Sequence, residues 1–262
     1  RSSDLHIYPD RKGGAVEEAV LQPFQDTVSG RDRGYGVCPH FLYKGCEKMT
    51  MEYKSNYEKV TEDWKKRFLD MDQERLIERF QLNHDGQWLY LRYLGQQLKL
   101  SRTSGKVLFA DREEIPEFDT VITVYNMFYY AKEHPAASGE LVPFRLVKRV
   151  YPFERAYQKQ ILEPFARLFS GHVKELREAC EKLGGTKLPQ GDAGYRIPVY
   201  PYFDMAVLFW DRDDEFEAQG NMLFDSNITD FVHEENVVCI AADAVRYLSR
   251  AAGLEEMKIY AG

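Results

Sequence analysis

The sequence has no apolar stretch long enough to cross a membrane. Its longest apolar runs are Met205–Trp210 and Val237–Ala242, whereas a membrane-spanning helix needs roughly 20 apolar residues. Only four cysteines occur in 262 residues, without a Cys-x-x-Cys pair, which excludes a disulfide-stabilised scaffold. Positive charge is not in excess either, because 35 Lys and Arg stand against 42 Asp and Glu, a net charge of −7. We therefore expect neither a nucleic-acid partner nor a membrane partner.

Several short motifs of known chemistry are also missing. There is no Gly-x-Gly-x-x-Gly motif and no phosphate loop, which argues against an ordinary dinucleotide or nucleotide site. His-Glu-x-x-His and Gly-x-Ser-x-Gly are absent as well. Arg1–Asp4 show no charged-then-apolar leader pattern, so a cytoplasmic location is expected.

Composition divides the chain into an arm and a body. Glycine and proline are frequent in residues 1–50, which predicts an irregular arm that is not an independent domain. Residues 51–262 are predicted to form a single α+β domain, an antiparallel sheet with helices packed on it. Alternating apolar residues between turn signals predict strands near 88–91, 97–100 and 106–109.

The second half of the chain has the stronger patterns. Residues 195–202 alternate, and Met205–Trp210 are continuously apolar, so the second of these strands is predicted to be central in the sheet. Apolar spacings of three and four predict helices over 117–133 and 237–248. A further helical stripe continues past Pro164, which is expected to kink or divide its helix.

Five short motifs between residues 191 and 236 resemble a known family. They are Gly191-Asp192, Pro201 with Asp204, Trp210-Asp211-x-Asp213-Asp214-Glu215-Phe216, Leu223-Phe224-Asp225-x-Asn227 and His233-Glu234-Glu235. With them the chain resembles domain-of-unknown-function family 3786, over residues 55–250. Members of that family come mostly from anaerobic bacteria and archaea, and some carry an iron–sulfur cluster domain or occur beside corrinoid proteins.

The resemblance implies a role in anaerobic metabolism but no defined activity. Two features depart from the family pattern. The segment with Cys38 and Cys46 lies outside the family's usual domain. Asn236-Val237 stands where an acidic residue and a leucine are expected, which argues against a role that needs a charge at position 236.

A basic cluster surrounds Tyr151. Arg145, Lys148, Arg149 and Arg155 place four cations within eleven residues of an acidic protein. Guanidinium groups beside an aromatic ring suit a planar anion such as a carboxylate or phosphate, so Arg145, Arg149 and Tyr151 are candidate ligand-binding residues. Alternatively, these cations form salt bridges with an acidic loop later in the chain.

That acidic loop directly follows Trp210, which is a fourth candidate ligand-binding residue. Its carboxylates are Asp211, Asp213, Asp214, Glu215 and Glu217. Clustered carboxylates can bind a hard cation, although this spacing differs from that of an EF-hand. The alternative interpretation is a solvated turn between two strands.

A second polar group lies between the last predicted strand and the final helix, and it includes Asp225, Asn227, Asp230, His233 and Glu235. His233 is a candidate general acid or base, with Asp225, Glu235 and Asp204 as catalytic partners, or a ligand to a metal or corrinoid. A capping network that fixes the final helix is the alternative.

The basic cluster and the second polar group are predicted to share one concave site. Burying an unpaired charge costs several kcal/mol in order of magnitude, so such residues pair with each other or face a ligand. A shared site requires that His233 lies within about 15 Å of Arg149, the span of one small ligand. If the groups only pair, they form a structural latch instead.

Cys38, His40 and Cys46 form a third candidate site. Two thiols and an imidazole within nine residues are suitable ligands for a soft metal, although the spacing matches no standard zinc or iron–sulfur motif.

Three functions remain open after these observations. The first is a cofactor- or small-ligand-binding protein of anaerobic metabolism, for example a redox or corrinoid-linked accessory with a flavin, corrinoid or iron–sulfur cluster. The second is an enzyme that uses His233 and nearby carboxylates for acid–base chemistry on an anionic substrate. The third is an adaptor that binds a partner protein.

Overall fold

The structure is a computed structural model that describes residues 50–254, with side chains from residue 56 onward. The helices of this part are α1 (Thr50–Leu69), α2 (Gln73–Phe80), α3 (Phe118–Tyr130), α4 (Glu154–Tyr157), α5 (Glu163–Phe169), α6 (Val173–Lys182) and α7 (Asn236–Ala252). A π-helical turn, Gln158–Leu162, joins α4 to α5. Residues 1–49 of the predicted arm lie outside the described residues.

The strands form two antiparallel sheets. They are β1 (Asn83–His84), β2 (Trp88–Tyr93), β3 (Gln96–Ser101), β4 (Val107–Phe109), β5 (Leu141–Pro143), β6 (Thr186–Lys187), β7 (Ala193–Tyr200), β8 (Phe203–Trp210) and β9 (Gln219–Asp225). The first sheet has the order β1-β2-β3-β4, and the second has the order β5-β9-β8-β7-β6. Helices together with antiparallel sheets confirm the predicted α+β class.

A tight turn at Leu94-Gly95 connects β2 to β3. Tyr93 pairs with Gln96, which leaves a loop of two residues whose φ angles are 44° and 78°. Positive φ at both positions is typical of the type I′ turn, whose twist matches that of the strands. A Cβ on Gly95 would lie 2.9 Å from the Leu183 Cα, so the close approach of the two backbones also requires glycine here.

The strand β8 lies at the centre of the second sheet, as the continuous apolar run predicts. It pairs with β7 on one side and β9 on the other, and its residues Met205–Phe209 are all buried. Gly220 in β9 leaves room for the Phe165 ring of α5, because a Cβ there would lie 2.4 Å from that ring. The sheet and α5 are therefore held in close contact.

Two buried helices, α3 and α7, form the centre of the molecule. Residues 119–128 of α3 and 236–245 of α7 are all buried, and the two helices pack against each other. The helix α7 ends where Gly253 adopts a φ of 71° and its N–H caps the last turn. Within residues 50–254, no helix is long and apolar enough to span a membrane.

Pro164 lies directly after the π-helical turn that divides its helix. Proline has no N–H and clashes with the carbonyl of the fourth residue before it in a regular α-helix. In the wider turn the Glu163 N–H donates to the Gln158 carbonyl, five residues back. The helical path therefore continues through Pro164, with a widened turn in place of a sharp break.

Candidate functional site

The predicted basic cluster lies on a short segment that presents its cations to solvent. Phe144, Val147 and Val150 are buried at every third position, and 3-10 turns begin and end the segment. Arg145 lies between these anchors, Tyr151 directly follows the last of them, and both are exposed.

Arg149 and His233 meet at the carboxylate of Glu234. The same Glu234 oxygen lies 3.6 Å from an Arg149 Nη and 3.8 Å from the His233 Nε2. The imidazole also contacts Tyr130, with ring centroids 5.0 Å apart. Arg149 has a φ of 65°, an uncommon value for a residue with a side chain. The structure thus places two of the predicted site residues within the reach of one small ligand.

The geometry of His233 favours a hydrogen-bond donor at Nε2 over a free base. Its Nδ1 accepts the backbone N–H of Glu235 at 3.3 Å, so the neutral ring carries its hydrogen on Nε2. Burial lowers the pKa of His233, and this effect outweighs the opposite influence of Glu234. Near neutral pH, the ring therefore presents an Nε2–H group beside Glu234.

Asp225 accepts four hydrogen bonds from the described residues, and none of the donors is His233. One carboxylate oxygen accepts the N–H and hydroxyl of Ser138 and the N–H of Asn227, and the other accepts the Gly139 N–H. The side chain is almost fully buried. These four hydrogen bonds fasten the segment before β5 to the end of β9, which is the arrangement expected of a structural group.

Of the other two residues proposed for catalysis, Asp204 lies in separate surroundings and Glu235 adjoins His233 through its backbone. Asp204 forms an ion pair with Arg196 at 2.8 Å on the neighbouring strand. Glu235 is buried beside the first turn of α7, where its backbone N–H contacts His233. Of the residues predicted to act together, the contacts of the structure bring Arg149, His233 and Glu235 to one place.

The acidic loop has the hydrogen bonds of a turn. One Asp213 oxygen accepts the N–H groups of Glu215 and Phe216, and one Asp211 oxygen accepts those of Arg212 and Gly171. In the described part of the chain, no group of three or more His, Cys, Asp or Glu side chains is arranged to hold a metal ion.

The cysteines divide into two pairs. Cys38 and Cys46, with His40, lie outside the described residues. Cys180 and Cys239 are buried, and burial raises the pKa of the Cys180 thiol to about 12. A thiol with this pKa is protonated near pH 7, so Cys180 is not poised to act as a thiolate ligand.

An open surface cavity of about 750 Å³, whose charged wall residues are exposed to solvent, lies between the π-helical turn, α5 and the start of β9. Its walls are formed by Gln158, Leu162, Glu163, Ala166, Arg167, Ser170, Arg212, Glu217, Ala218, Gln219 and Gly220. Trp210, a predicted ligand-binding residue, pairs across the sheet with Gln219 at this end. The sequence patterns did not indicate this cavity, because its two walls are about fifty residues apart in the chain.

Four charged side chains in the cavity wall have no ion-pair partner within residues 56–254. They are Arg167 and Arg212, which carry guanidinium groups, and Glu163 and Glu217, which carry carboxylates. The wall therefore offers donors and acceptors to a ligand.

A buried polar network between α3 and α7 was also absent from the sequence predictions. The Asp243 carboxylate is fully buried, accepts the hydroxyls of Tyr93 and Thr120 at 2.9 Å each, and pairs with Arg246. Burial raises the pKa of Asp243 to about 7. The signal in the sequence was a lone carboxylate inside an apolar helix, seven residues after Asn236.

The polar network continues toward His233. Asn236 donates to Thr123 at 3.1 Å, and both side chains are fully buried. Both polar atoms of the Asn126 amide and the Asn236 side-chain oxygen are buried without a hydrogen-bond partner in the described structure. Such groups normally bind internal water, so we regard this region as structural support for the final helix.

Comparison with known proteins gives one match. The family model Domain of unknown function (DUF3786) matches residues 72–247, which is more than half of the chain. No curated protein and no solved structure matches the chain.

Proposed function

Because this chain belongs to the DUF3786 family, whose function is unknown, we propose a function from its own geometry: it binds a small polar ligand in the cavity beside the π-helical turn. The observation that supports this proposal is the pair of arginines, Arg167 and Arg212, that line the cavity without an ion-pair partner in the described chain.

The size of the cavity is that of a small-molecule site. Ligand pockets typically measure roughly 300–1,000 Å³, and this cavity of about 750 Å³ lies in that range. A guanidinium group binds a carboxylate or phosphate through two parallel hydrogen bonds, so an anionic group of the ligand would lie at Arg167 or Arg212. Glu163 and Glu217 suit hydroxyl or amine donors. A ligand with one anionic group and several hydrogen-bond donors fits this wall best.

The π-helical turn adds to the argument. Turns of this kind are rare and frequently occur at functional sites, where they displace side chains from the regular helical spacing. Here the turn supplies Gln158 and Leu162 to the cavity wall, one polar and one apolar contact. A flavin, with its apolar ring and its phosphate, is one cofactor of anaerobic redox metabolism that has this combination of groups.

Acid–base chemistry at His233 is the second candidate. It is favoured by the left-handed backbone of Arg149, which holds a guanidinium at the Glu234 carboxylate beside the imidazole. Strained residues of this kind cluster at functional sites. In this alternative, Arg149 binds an anionic substrate, and the imidazolium form of His233, which exists below its lowered pKa, donates a proton to that substrate and becomes neutral.

The first experiment is a visible absorption spectrum of anaerobically purified protein. Bound flavin, corrinoid and iron–sulfur cluster each have their own bands. Calorimetric titration with flavin mononucleotide and with succinate then measures binding to the protein freed of any such group.

Variants locate the site of binding. Arg167→Ala and Arg212→Ala are expected to weaken binding of the probe about tenfold each, since a bidentate anion contact is lost. Arg145→Ala is the matched control, because Arg145 is an exposed arginine without an ion-pair partner in the described chain and does not line the cavity. Loss of binding in Arg149→Ala and His233→Ala alone would instead support the second candidate. Absence of all bands, together with no binding of either probe, would contradict the proposal.

A further inference from the structure

Two exposed surfaces of opposite charge remain outside the proposed cavity function. We define the basic hook as the exposed side chains Arg145, Leu146, Lys148, Tyr151 and Arg155. We define the acidic face as the carboxylates of Asp211, Asp213, Asp214 and Glu215 together with Trp210 and Phe216. Each surface combines several charges of one sign with two large exposed apolar side chains, although the acidic face also adjoins the cation Arg212 of the cavity wall.

The apolar side chains of both surfaces are unusually exposed. In the basic hook, 63% of Leu146 and 82% of Tyr151 are accessible to solvent. In the acidic face, the accessible fractions are 41% for Trp210 and 53% for Phe216. These four are most of the seven large apolar residues that are exposed in the described chain. Clustered exposed apolar side chains mark interaction surfaces more often than isolated ones.

The charges of the two surfaces have no ion-pair partner within residues 56–254 of the same molecule. Arg145, Lys148 and Arg155 form no ion pair with any carboxylate of residues 56–254. Asp214 and Glu215 have no side-chain partner in the same part of the chain. Salt bridges between the basic cluster and the acidic loop, the alternative that the sequence left open, are therefore absent from the described part of the chain. No carboxylate or cation of that part occupies the charges of either surface.

Both surfaces are held in fixed shapes, which lowers the entropic cost of binding. The buried anchors Phe144, Val147 and Val150 fix the basic hook at every third residue. In the acidic face, Asp213 accepts the N–H groups of Glu215 and Phe216 and so closes the turn. A surface that is already ordered loses little conformational freedom when a partner docks.

We infer that the basic hook of one copy docks on the acidic face of a second copy of this chain. Arginines and lysine would meet carboxylates, and the aromatic rings of the acidic face offer surfaces on which a guanidinium stacks. Tyrosine and arginine are the residue types that dominate interface energies. The net charge of −7 opposes association, but salt screens repulsion between charges more than about 8 Å apart at physiological ionic strength.

Such a contact joins two different surfaces, so each copy retains one free hook and one free face. Contacts of this type generate rings if the rotation closes and open chains if it does not. The expected behaviour is therefore concentration-dependent growth beyond a dimer, weakened by salt because the contact is charged.

Sedimentation velocity over a range of protein concentrations, at low and at high salt, tests the inference. The hook variant Arg145→Glu/Lys148→Glu and the face variant Asp214→Lys/Glu215→Lys are each expected to lower the association constant about tenfold or more. Lys106→Glu/Lys187→Glu is the control for the hook variant, since it makes the same change of charge at two exposed, unpaired positions of the described chain. It should associate like the unmodified protein.

Mixing the two variants gives the decisive result. The face variant keeps a hook and the hook variant keeps a face, so an equimolar mixture should associate more strongly than either variant does alone. The inference is overturned if the unmodified protein is monomeric at every concentration, if the control weakens association equally, or if the mixture stays monomeric. None of these substitutions touches a residue of the cavity wall, so the outcome does not depend on ligand binding.

Discussion

Asp213 and Asp225 accept backbone N–H groups from the residues that follow them, yet they lie at very different depths. Asp213 is on the surface, where its two hydrogen bonds lower the pKa of the carboxyl group. Asp225 is buried and has four hydrogen bonds. At the scale of single residues, burial decides how much a carboxylate contributes to stability. Water can replace lost hydrogen-bond partners at the surface but not in the interior.

Asp225→Ala should lower the free energy of unfolding by about 3 kcal/mol, since four hydrogen bonds to a buried, charged acceptor are lost. Urea unfolding followed by circular dichroism measures this loss. Asp213→Ala removes the corresponding carboxylate from an exposed turn and should cost clearly less. Equal losses in the two variants would contradict a structural role for Asp225.

Asp243 should make stability depend on pH. Burial raises its pKa from 3.8 to about 7, so between these values the native protein binds more protons than the unfolded chain at this residue. The contribution of Asp243 to the free energy of unfolding therefore falls as pH rises from about 4 to about 7, by at most about 1.4 kcal/mol per pH unit.

The non-titrating variant Asp243→Asn isolates that effect. The free energy of unfolding of the variant minus that of the unmodified protein should increase with pH across this window. Chemical denaturation at several pH values measures this difference. The contributions of the other carboxylates are nearly the same in both proteins and therefore largely cancel. A difference that stays constant from pH 4 to pH 7 would show that Asp243 is ionised throughout.

At the scale of elements, the length of the apolar pattern explains which predictions succeeded. The predicted helix over 117–133 is observed as Phe118–Tyr130, and the predicted central strand is β8. Both have strong periodic or continuous apolar patterns. The two-residue strands β1 and β6 and the three-residue strand β5 show no such pattern, because two or three residues cannot display a period.

Gly220 tests the contact between β9 and α5. A Cβ there would lie 2.4 Å from the Phe165 ring, which is fully buried. Gly220→Ala should therefore destabilise the protein by about 1–3 kcal/mol, the usual cost of overpacking. Phe165→Leu should also destabilise the protein, because the smaller side chain buries less apolar area.

A double-mutant cycle shows whether the two positions interact. The combined variant Gly220→Ala/Phe165→Leu should be more stable than the sum of the single losses predicts, since the smaller side chain makes room for the methyl group. Thermal unfolding of the four proteins gives the interaction. Simple additivity would mean that the helix shifts to accommodate the methyl group.

At the scale of the whole molecule, one apolar core extends from α1 through both sheets to α7. The helices α3 and α7 lie at its centre and carry the buried polar network. A composition with 44% apolar residues indicated such a core, but not its position. The candidate cavity could not be predicted from local patterns, because residues near 160 and near 215 meet only in the folded chain.

Native-state hydrogen exchange should find its slowest amides in α3 and α7, because opening these buried helices requires unfolding of the whole core. Mass spectrometry of peptides from residues 118–130 and 236–252 measures the rates. Peptides covering the exposed segment 144–153 are the comparison and should exchange faster. Similar protection in all three would mean that the segment unfolds only with the core.

The π-helical turn changes the direction in which the side chains after it point around the helix axis. Tyr157, Ile161, Phe165 and Phe169 are all buried and recur at every fourth residue. In a regular α-helix such a repeat drifts by about 40° per step, or about 120° from the first side chain to the last. One extra residue in the widened turn takes up about 100° of that drift. The irregular turn is what keeps four aromatic and aliphatic side chains on a single face across three steps of the repeat.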